Sequence, residues 1–473
     1  MQLSSFADIP IELLPIVFQF IVKPSHLATL CLVNSTFRDL AVSQLYESVH
    51  IYPWHNEAKT RVVQLFTTLR DNADLARYVQ KLGEFTPRHY CVLIKDFPKA
   101  LSTDKLETTW STCTHGLKNC VNLRHCTWTR DGSLDNAIFE ALLHCHKLKE
   151  LEINGHHDGQ YDPEVLCRFT RLNKITLIMP SWLVIAQLPR WIRETGPALQ
   201  YLSIICKASP LVTDSLLEIL APNLPHLEHL SLLGCPKVTH SGILAVLSAN
   251  RGTMRGLGLE GLSPNLDVAK FASSHQALST LSGLSSLTMT VQRPLNTWTE
   301  NVLNLLREVP LELFQVYSPG GEDVSVLPDD FCFSLVSTHG PRLKRFSVHR
   351  MRVTLNAVDN ICSRCPKLEQ LFIVMRRSEM QLLAPVLAKA RKLRSVHVNF
   401  PLDAGTGVNL LQIQADVQSI LSECSGSSVM QFGCNTRVER EVVRGGNGEL
   451  RVENRLARYE SPEVPEQFLV LRA

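Results

Sequence analysis

Eleven times between Leu123 and Leu393 the chain repeats an L-x-x-L-x-L word with relaxed apolar choices, and successive first letters lie 24 to 32 residues apart. Clear instances are Leu148-x-x-Leu151-x-Ile153, Leu172-x-x-Ile175-x-Leu177, Leu199-x-x-Leu202-x-Ile204 and Leu227-x-x-Leu230-x-Leu232. The others begin at Leu123, Met254, Leu284, Leu311, Leu343, Leu368 and Leu393. A period of this length marks a stack of like units, not separate globules. It accounts for a leucine excess of 72 in 473 residues, and it replaces the division into roughly three globules that length alone suggests.

Within each word the last two apolar letters stand two apart, the strand period, so both point to one face. Between words the spacing turns helical, as at Ile138, Leu142 and Leu143; Leu216, Leu217 and Leu220; Val302, Leu305 and Leu306; and Leu382, Leu383, Val386 and Leu387. Each unit is thus predicted to be a short strand, a turn and a helix, with helix caps expected at Asp214, Thr299 and Ser378. Neither piece buries its apolar side alone, so the units must stack. The expected fold class is α/β: a curved solenoid with parallel strands on one face and helices on the other.

This pattern resembles the leucine-rich-repeat family in its longer, ribonuclease-inhibitor-like variety. The best-formed unit runs from His226 to Cys235, and its Gly234-Cys235 stands where that family often places Asn or Cys at the strand-to-loop turn. The solenoid is assigned to 119–402, preceded by a helical connector with degenerate first repeats over 51–118.

Residues 8–47 do not fit the repeat, and 1–50 is assigned to a separate amino-terminal module. Ile9-Pro10 opens a run with helical spacing through Leu13, Leu14, Val17, Phe18 and Ile21, with Pro15 disturbing its start. A second helix is marked by Leu27, Leu30 and Cys31, and a third by Phe37, Leu40, Ala41 and Leu45. Three helices over about 40 residues are too few to bury so much apolar surface unaided. The segment resembles an F-box, a three-helix module that docks on the Skp-family adaptor of cullin ubiquitin ligases. The match rests on Ile9-Pro10, Glu12-Leu13-Leu14, Val17-Phe18, Leu30-x-Leu32-Val33 and Phe37-Arg38, with Ile9 for the usual Leu, Phe37 for a frequent Trp, and Pro15 extra. The resemblance implies adaptor contacts by Ile9, Pro10, Leu13, Leu14, Val17, Phe18, Leu30, Leu32, Val33 and Phe37. An amphipathic cap over the first repeat is the alternative, although a cap would read more polar. A box before leucine-rich repeats is similar to fungal F-box proteins.

Several patterns invite a chemical reading and fail in context. Gly256-x-Gly258-x-x-Gly261 has the letters of a dinucleotide fingerprint but lies inside a strand word, whereas the fingerprint follows a strand and opens a helix. Its glycines are expected to leave a shallow place in the sheet. Cys362-x-x-Cys365 has no second ligand pair at finger spacing and sits on a helix face. His144, Cys145, His146, His156 and His157 are dense in ligand atoms but match no familiar site. No Ser/His/Asp order, P-loop or H-E-x-x-H is present, so catalysis, cofactor and metal are not expected. A net charge of +3 gives no bulk reason to bind nucleic acid or a membrane surface. The fourteen cysteines, with no basic stretch before Ile9, suggest reduced thiols in cytoplasm or nucleus.

The residues between the apolar letters read out the strand face. In the late units these include Leu313, Gln315, Tyr317, Arg345, Ser347, His349, Gln370, Phe372, Val374, Ser395, His397 and Asn399, a mixture enriched at interaction hot spots. The early face, with Glu150, Glu152, Lys174, Ser203 and Ser231, reads as solvated. Client contacts are therefore expected at Leu313, Tyr317, Arg345, His349, Phe372 and His397, unless the carboxy-terminal segment folds over them. That segment, 403–473, is read as a cap with a hairpin around Gly445-Gly-Asn-Gly448. The resemblance implies a non-enzymatic subunit that joins a Skp-family adaptor, and through it a cullin ligase, to a protein client. The rival is a leucine-rich-repeat scaffold without ligase linkage.

Overall fold

Each word places its last two apolar letters at the second and fourth residues of a strand, and neighbouring strands pair in register so that like letters stack. The structure, a computed structural model, describes residues 10–21, 24–51, 58–84, 103–129, 134–157, 159–252, 254–319, 325–400, 410–423, 429, 431–434, 438–444 and 450–456. These fall into two compact units that meet in sequence between Leu199 and Gln200.

In the first unit, strands β1 (Ser48–Ile51), β2 (Lys81–Glu84), β3 (His125–Trp128), β4 (Glu150–Asn154) and β5 (Lys174–Ile178) pair in parallel in chain order. Strands β1 and β2 precede the first word: β1 closes the amino-terminal segment and β2 lies in the connector, which thus contains a strand as well as helices. Its helix Ala58–Asp71 packs on Thr103–Asn119, where Gly116 lies so close to the Phe66 carbonyl that a Cβ would not fit without a shift.

The second unit continues the pattern with β6 (Tyr201–Ile205), β7 (His229–Leu233), β8 (Gly256–Glu260), β9 (Ser286–Thr290), β10 (Leu313–Tyr317), β11 (Arg345–Arg352), β12 (Gln370–Val374), β13 (Ser395–Asn399) and β14 (Gln431–Cys434), all parallel. Strands β15 (Val438–Arg444) and β16 (Leu450–Leu456) follow as an antiparallel pair. One core column runs Leu202, Leu230, Leu257, Leu287, Phe314, Phe346, Leu371, Val396 and Phe432, every member buried. Full burial of each such side chain is worth about 1.5–3 kcal/mol, so the column is a principal source of cohesion. Each unit is an open, leucine-rich-repeat-like α/β stack whose helices contribute buried residues such as Ile138, Leu217, Val302 and Leu383.

The caps differ from those read in the sequence. Thr213, not Asp214, caps helix Asp214–Leu220, accepting from Leu216 N–H at 3.3 Å. Asp214 instead reaches the next repeat, accepting from Thr239 N–H at 2.8 Å, Thr239 Oγ1 at 2.6 Å and Gly242 N–H at 3.1 Å. Thr299 lies inside helix Leu295–Leu306, which opens one residue after Pro294, and Ser378 lies inside a 3-10 turn, Arg377–Leu382. A short polar residue can serve a neighbouring repeat as readily as its own helix, and spacing along one chain does not distinguish the two.

Candidate functional site

The amino-terminal segment folds as a 3-10 turn, Ile11–Leu13, and helices α1 (Leu14–Gln19), α2 (Pro24–Leu30) and α3 (Ser35–Glu47). Pro15 sits in the first turn of α1, where a missing N–H costs nothing. Asn34 caps α3 by accepting from Phe37 N–H at 2.8 Å, and Gln44 Nε2 donates to the Phe18 carbonyl at 2.7 Å. Leu14, Phe18, Leu27 and Ala41 form a small core, with Phe18 edge-on to Phe37 at 5.5 Å between centroids.

That core takes up only part of the apolar surface. Sixteen large apolar side chains stand exposed among the described residues, and seven lie between Ile11 and Val33: Ile11, Leu13, Ile16, Val17, Phe20, Leu32 and Val33. Leu32 is 86% exposed and Phe20 80%. Scattered apolar residues on a surface need no explanation, but this density on three short helices calls for cover.

The ten residues expected to contact an adaptor therefore divide. Pro10, Leu13, Val17, Leu32 and Val33 are exposed. Leu14 and Phe18 are buried and Leu30 and Phe37 half-buried, because they are the face that closes the three helices on themselves. Ile9 lies outside the described residues. Sequence reading omitted Ile11, Ile16 and Phe20. They occupy the opposite face of the same helical run, and helical periodicity finds the buried stripe first.

The strand face of the second unit changes along its length. Ser203, Ser231 and Thr288 are half-buried, whereas Gln315, Ser347, Phe372 and His397 in the same register row are buried. The prediction of an open late face is thus corrected at Phe372, His349 and His397, with exposures of 1%, 6% and 7%. These side chains lie down on one another: Ser347 Oγ and His349 Nε2 are 2.7 Å apart, His397 Nε2 and Asn399 Oδ1 3.0 Å, and the Phe372 and His397 rings 6.4 Å. Burial, aided by His397 nearby, pushes the His349 imidazole down to about 4, so it is neutral at ordinary pH. Leu313, Tyr317 and Arg345 are half-buried. Arg345 Nε donates to Gln370 Oε1 at 2.6 Å, and Arg350 lies 5.1 Å over the Tyr317 ring. In the first unit, Glu150 is paired with His125 at 3.0 Å and Lys174 at 3.7 Å.

The glycines of β8 do not leave a hollow. A Cβ on Gly256 would overlap His229 Nδ1, and one on Gly258 would stand 2.8 Å from Ser231 Oγ, so the side chains of β7 lean into the space. His229 is in turn stacked on Tyr201, with ring centroids 4.3 Å apart.

The dense Cys and His stretches have other attachments. Cys362 and Cys365 are buried and not joined in a disulfide, and burial raises the Cys365 thiol to about 12. His144 Nδ1 is 2.7 Å from the Glu140 carbonyl, and His157 Nε2 is 2.5 Å from that of Tyr161. Among the described residues no group of three or more His, Cys, Asp or Glu could hold a metal ion, and no helix is long and apolar enough to cross a membrane.

No protein-family model and no curated protein sequence matches the chain. Among solved structures, a chain of the Rad7 and Elc1 complex from yeast is similar over 76% of this chain and 93% of its own length, at 14% identity and a TM-score of 0.36.

Proposed function

We propose that the chain is the substrate-recognition subunit of a cullin-type ubiquitin ligase, holding a Skp-family adaptor through its three-helix box and a client protein through its repeats. The observation that carries this reading is the cluster of exposed apolar residues from Ile11 to Val33 on a unit that already has its own core. A terminal cap needs a polar outer face, and this one is apolar. The exposed subset Pro10, Leu13, Val17, Leu32 and Val33 also occupies motif positions of the F-box that the sequence resembles.

The chain performs no bond-making on this reading. It supplies proximity, holding client and conjugating enzyme in one assembly so that ubiquitin transfer becomes effectively intramolecular. Copurification of the full chain with a Skp-family adaptor tests it. Wild type is expected to copurify, and replacing Pro10, Leu13 and Val33 by Asp is expected to abolish capture without loss of fold, since all three are exposed. Absence of wild-type capture, or capture that survives the triple replacement, overturns the reading.

A further inference from the structure

Two thiols meet across the exits of β6 and β7 in the second unit. Register sets their approach: Ile205 pairs with Leu233, so Cys206 stands opposite Gly234, the residue before Cys235. A spacing of about 4.8 Å between strands and a rise of about 3.3 Å along them put the two Cys Cα atoms about 6 Å apart, within the span of about 4.4–6.8 Å that a disulfide bridges. One oxygen ties the pair further, because the Leu233 carbonyl accepts from Cys206 N–H at 2.8 Å and from Cys235 Sγ at 3.3 Å. Gly234, with φ at +63° and no Cβ, lets its backbone lie against the Cys206 carbonyl. Both cysteine side chains face the core, at 1% and 0% exposure, and they are not joined in a disulfide.

The Cys235 S–H has a second acceptor within reach, the Cys206 sulfur. Turned towards it, that proton stabilises a Cys206 thiolate: the hydrogen bond holds the Cys206 thiol below the usual thiol range against the opposing effect of burial, and raises Cys235. Cys120 and Cys145 in the first unit are also buried, and burial pushes each up to about 12. The thiolate is the reactive form, so Cys206 is the nucleophile of the pair. Cys206 is followed by exposed Lys207 and Ala208, and Ala208 holds φ at +51°, a strained left-handed turn one residue above the thiol.

We propose that Cys206 and Cys235 form a reversible oxidation site that couples two adjacent repeats, closed to a disulfide by hydrogen peroxide and reopened by a dithiol reductant. Local opening of the Lys207–Ala208 turn admits the oxidant, which is little larger than water. The Cys206 thiolate attacks one peroxide oxygen, the O–O bond breaks, and the departing hydroxide takes up the proton that Cys206 released, leaving a sulfenic acid. Cys235 sulfur then displaces the sulfenic hydroxyl: the S–S bond forms, the S–O bond breaks, and the Cys235 proton leaves in a second water. Two thiols and one peroxide thus give one disulfide and two waters. The bond closes a loop that contains helix Asp214–Leu220, whose Asp214 already accepts from Thr239 in the next repeat, so oxidation stiffens a junction that is linked by hydrogen bonds when reduced. In a reducing compartment such a bond is transient and acts as a signal instead of a permanent staple. The site is independent of adaptor docking, and its test needs no adaptor.

The full chain, reduced and then exposed to hydrogen peroxide in rising excess, is unfolded in iodoacetamide, digested with trypsin and read by mass spectrometry. Trypsin cuts after Lys207, so the two cysteines fall on separate peptides. The expected product is that pair of peptides linked, two hydrogen masses below their sum, forming before any link among Cys120, Cys126 and Cys145 and lost on treatment with dithiothreitol. The oxidised chain should melt at a higher temperature than the reduced one, and dithiothreitol should reverse the shift. Cys235→Ser should trap a sulfenic acid at Cys206 that dimedone labels, whereas Cys206→Ser should leave Cys235 unlabelled. Should either variant misfold, mapping of the wild-type chain keeps the test decisive. The proposal is overturned if the link is absent at peroxide that already oxidises half-buried Cys31, if it forms only in denaturant, or if links among Cys120, Cys126 and Cys145 appear in equal yield. Dimedone labelling of Cys235 in Cys206→Ser, or a melting temperature unmoved by the link, overturns it too.

Discussion

His229 occupies the space that any Cβ on Gly256 would need, and it does so while stacked on Tyr201 within 7° of parallel. A glycine that looks like a gap is therefore a seat for the side chain of the preceding strand. Gly234 is a glycine for a different reason: its φ is +63°, and a Cβ there would collide with the carbonyl oxygen of Cys206, which is backbone and cannot swing aside.

The two glycines should consequently respond differently to alanine. Gly256→Ala displaces a movable ring and loses the stack, at about 0.5–1.5 kcal/mol. Gly234→Ala adds left-handed strain of about 1–2 kcal/mol to a backbone collision and should lower the melting temperature by clearly more. Equal shifts in thermal unfolding, or a larger one for Gly256→Ala, would contradict this account.

Asp214 links two repeats through three hydrogen bonds to Thr239 and Gly242, and Asp329 has a parallel role, accepting from Thr354 Oγ1 at 2.6 Å and Asn356 Nδ2 at 3.1 Å. Hydrogen bonds to a charged acceptor are worth about 1.5–3 kcal/mol, so Asp214→Ala should destabilise the junction by about that amount, and Asp214→Asn by less. Because a repeat stack need not unfold in one step, the readout is hydrogen exchange in helix His240–Ala249, where protection should fall first.

The repeat was legible because its evidence is additive: eleven degenerate words outweigh any one, and Leu230, Leu257 and Leu287 take their core positions from spacing alone. Strand β2 was not placed because Glu84 stands where the word has its last apolar letter, although Val79 and Leu82 supply the first two and are both buried. The strand face was legible as to which residues point away from the core, but not as to which stay exposed. Alternation assigns Phe372 and His397 to the outer face correctly and says nothing of side chains that lie across neighbouring strands. In the box, helical spacing separated helix from loop but merged the two apolar faces, so Phe18 in the core and Leu32 on the surface carried the same expectation.

His339 predicts an acid-sensitive fold. It is 1% exposed, its Nδ1 has no hydrogen-bond partner among the described residues, and burial, followed by the charge of Arg342, lowers its pKa from 6.5 to about 4 against a smaller opposing contribution from the Leu306 carbonyl. The folded value lies below the unfolded one, so between them the unfolded chain binds more protons. The contribution is therefore complete above 6.5 and is lost as pH falls towards 4, to a total of about 3 kcal/mol. Melting temperatures measured from pH 7 to pH 4 should decline less steeply for His339→Leu than for wild type. Parallel declines would show that this imidazole does not set the slope.

The box should separate folding from docking in two substitutions. Phe18 is 1% exposed and packs edge-on to Phe37, so Phe18→Ala removes a large core side chain at about 3–5 kcal/mol, more than three short helices can lose. Leu32 is 86% exposed and Val33 58%, so Leu32→Asp with Val33→Asp removes no buried contact and should change stability by within about 0.5 kcal/mol. Limited proteolysis should therefore find the box of Phe18→Ala cleaved and that of the double aspartate variant resistant, while on the proposed adaptor reading both should lose capture. A double aspartate variant that is both resistant and still captured would place the docking surface elsewhere, and one that is cleaved would mean Leu32 and Val33 support the fold from outside the core.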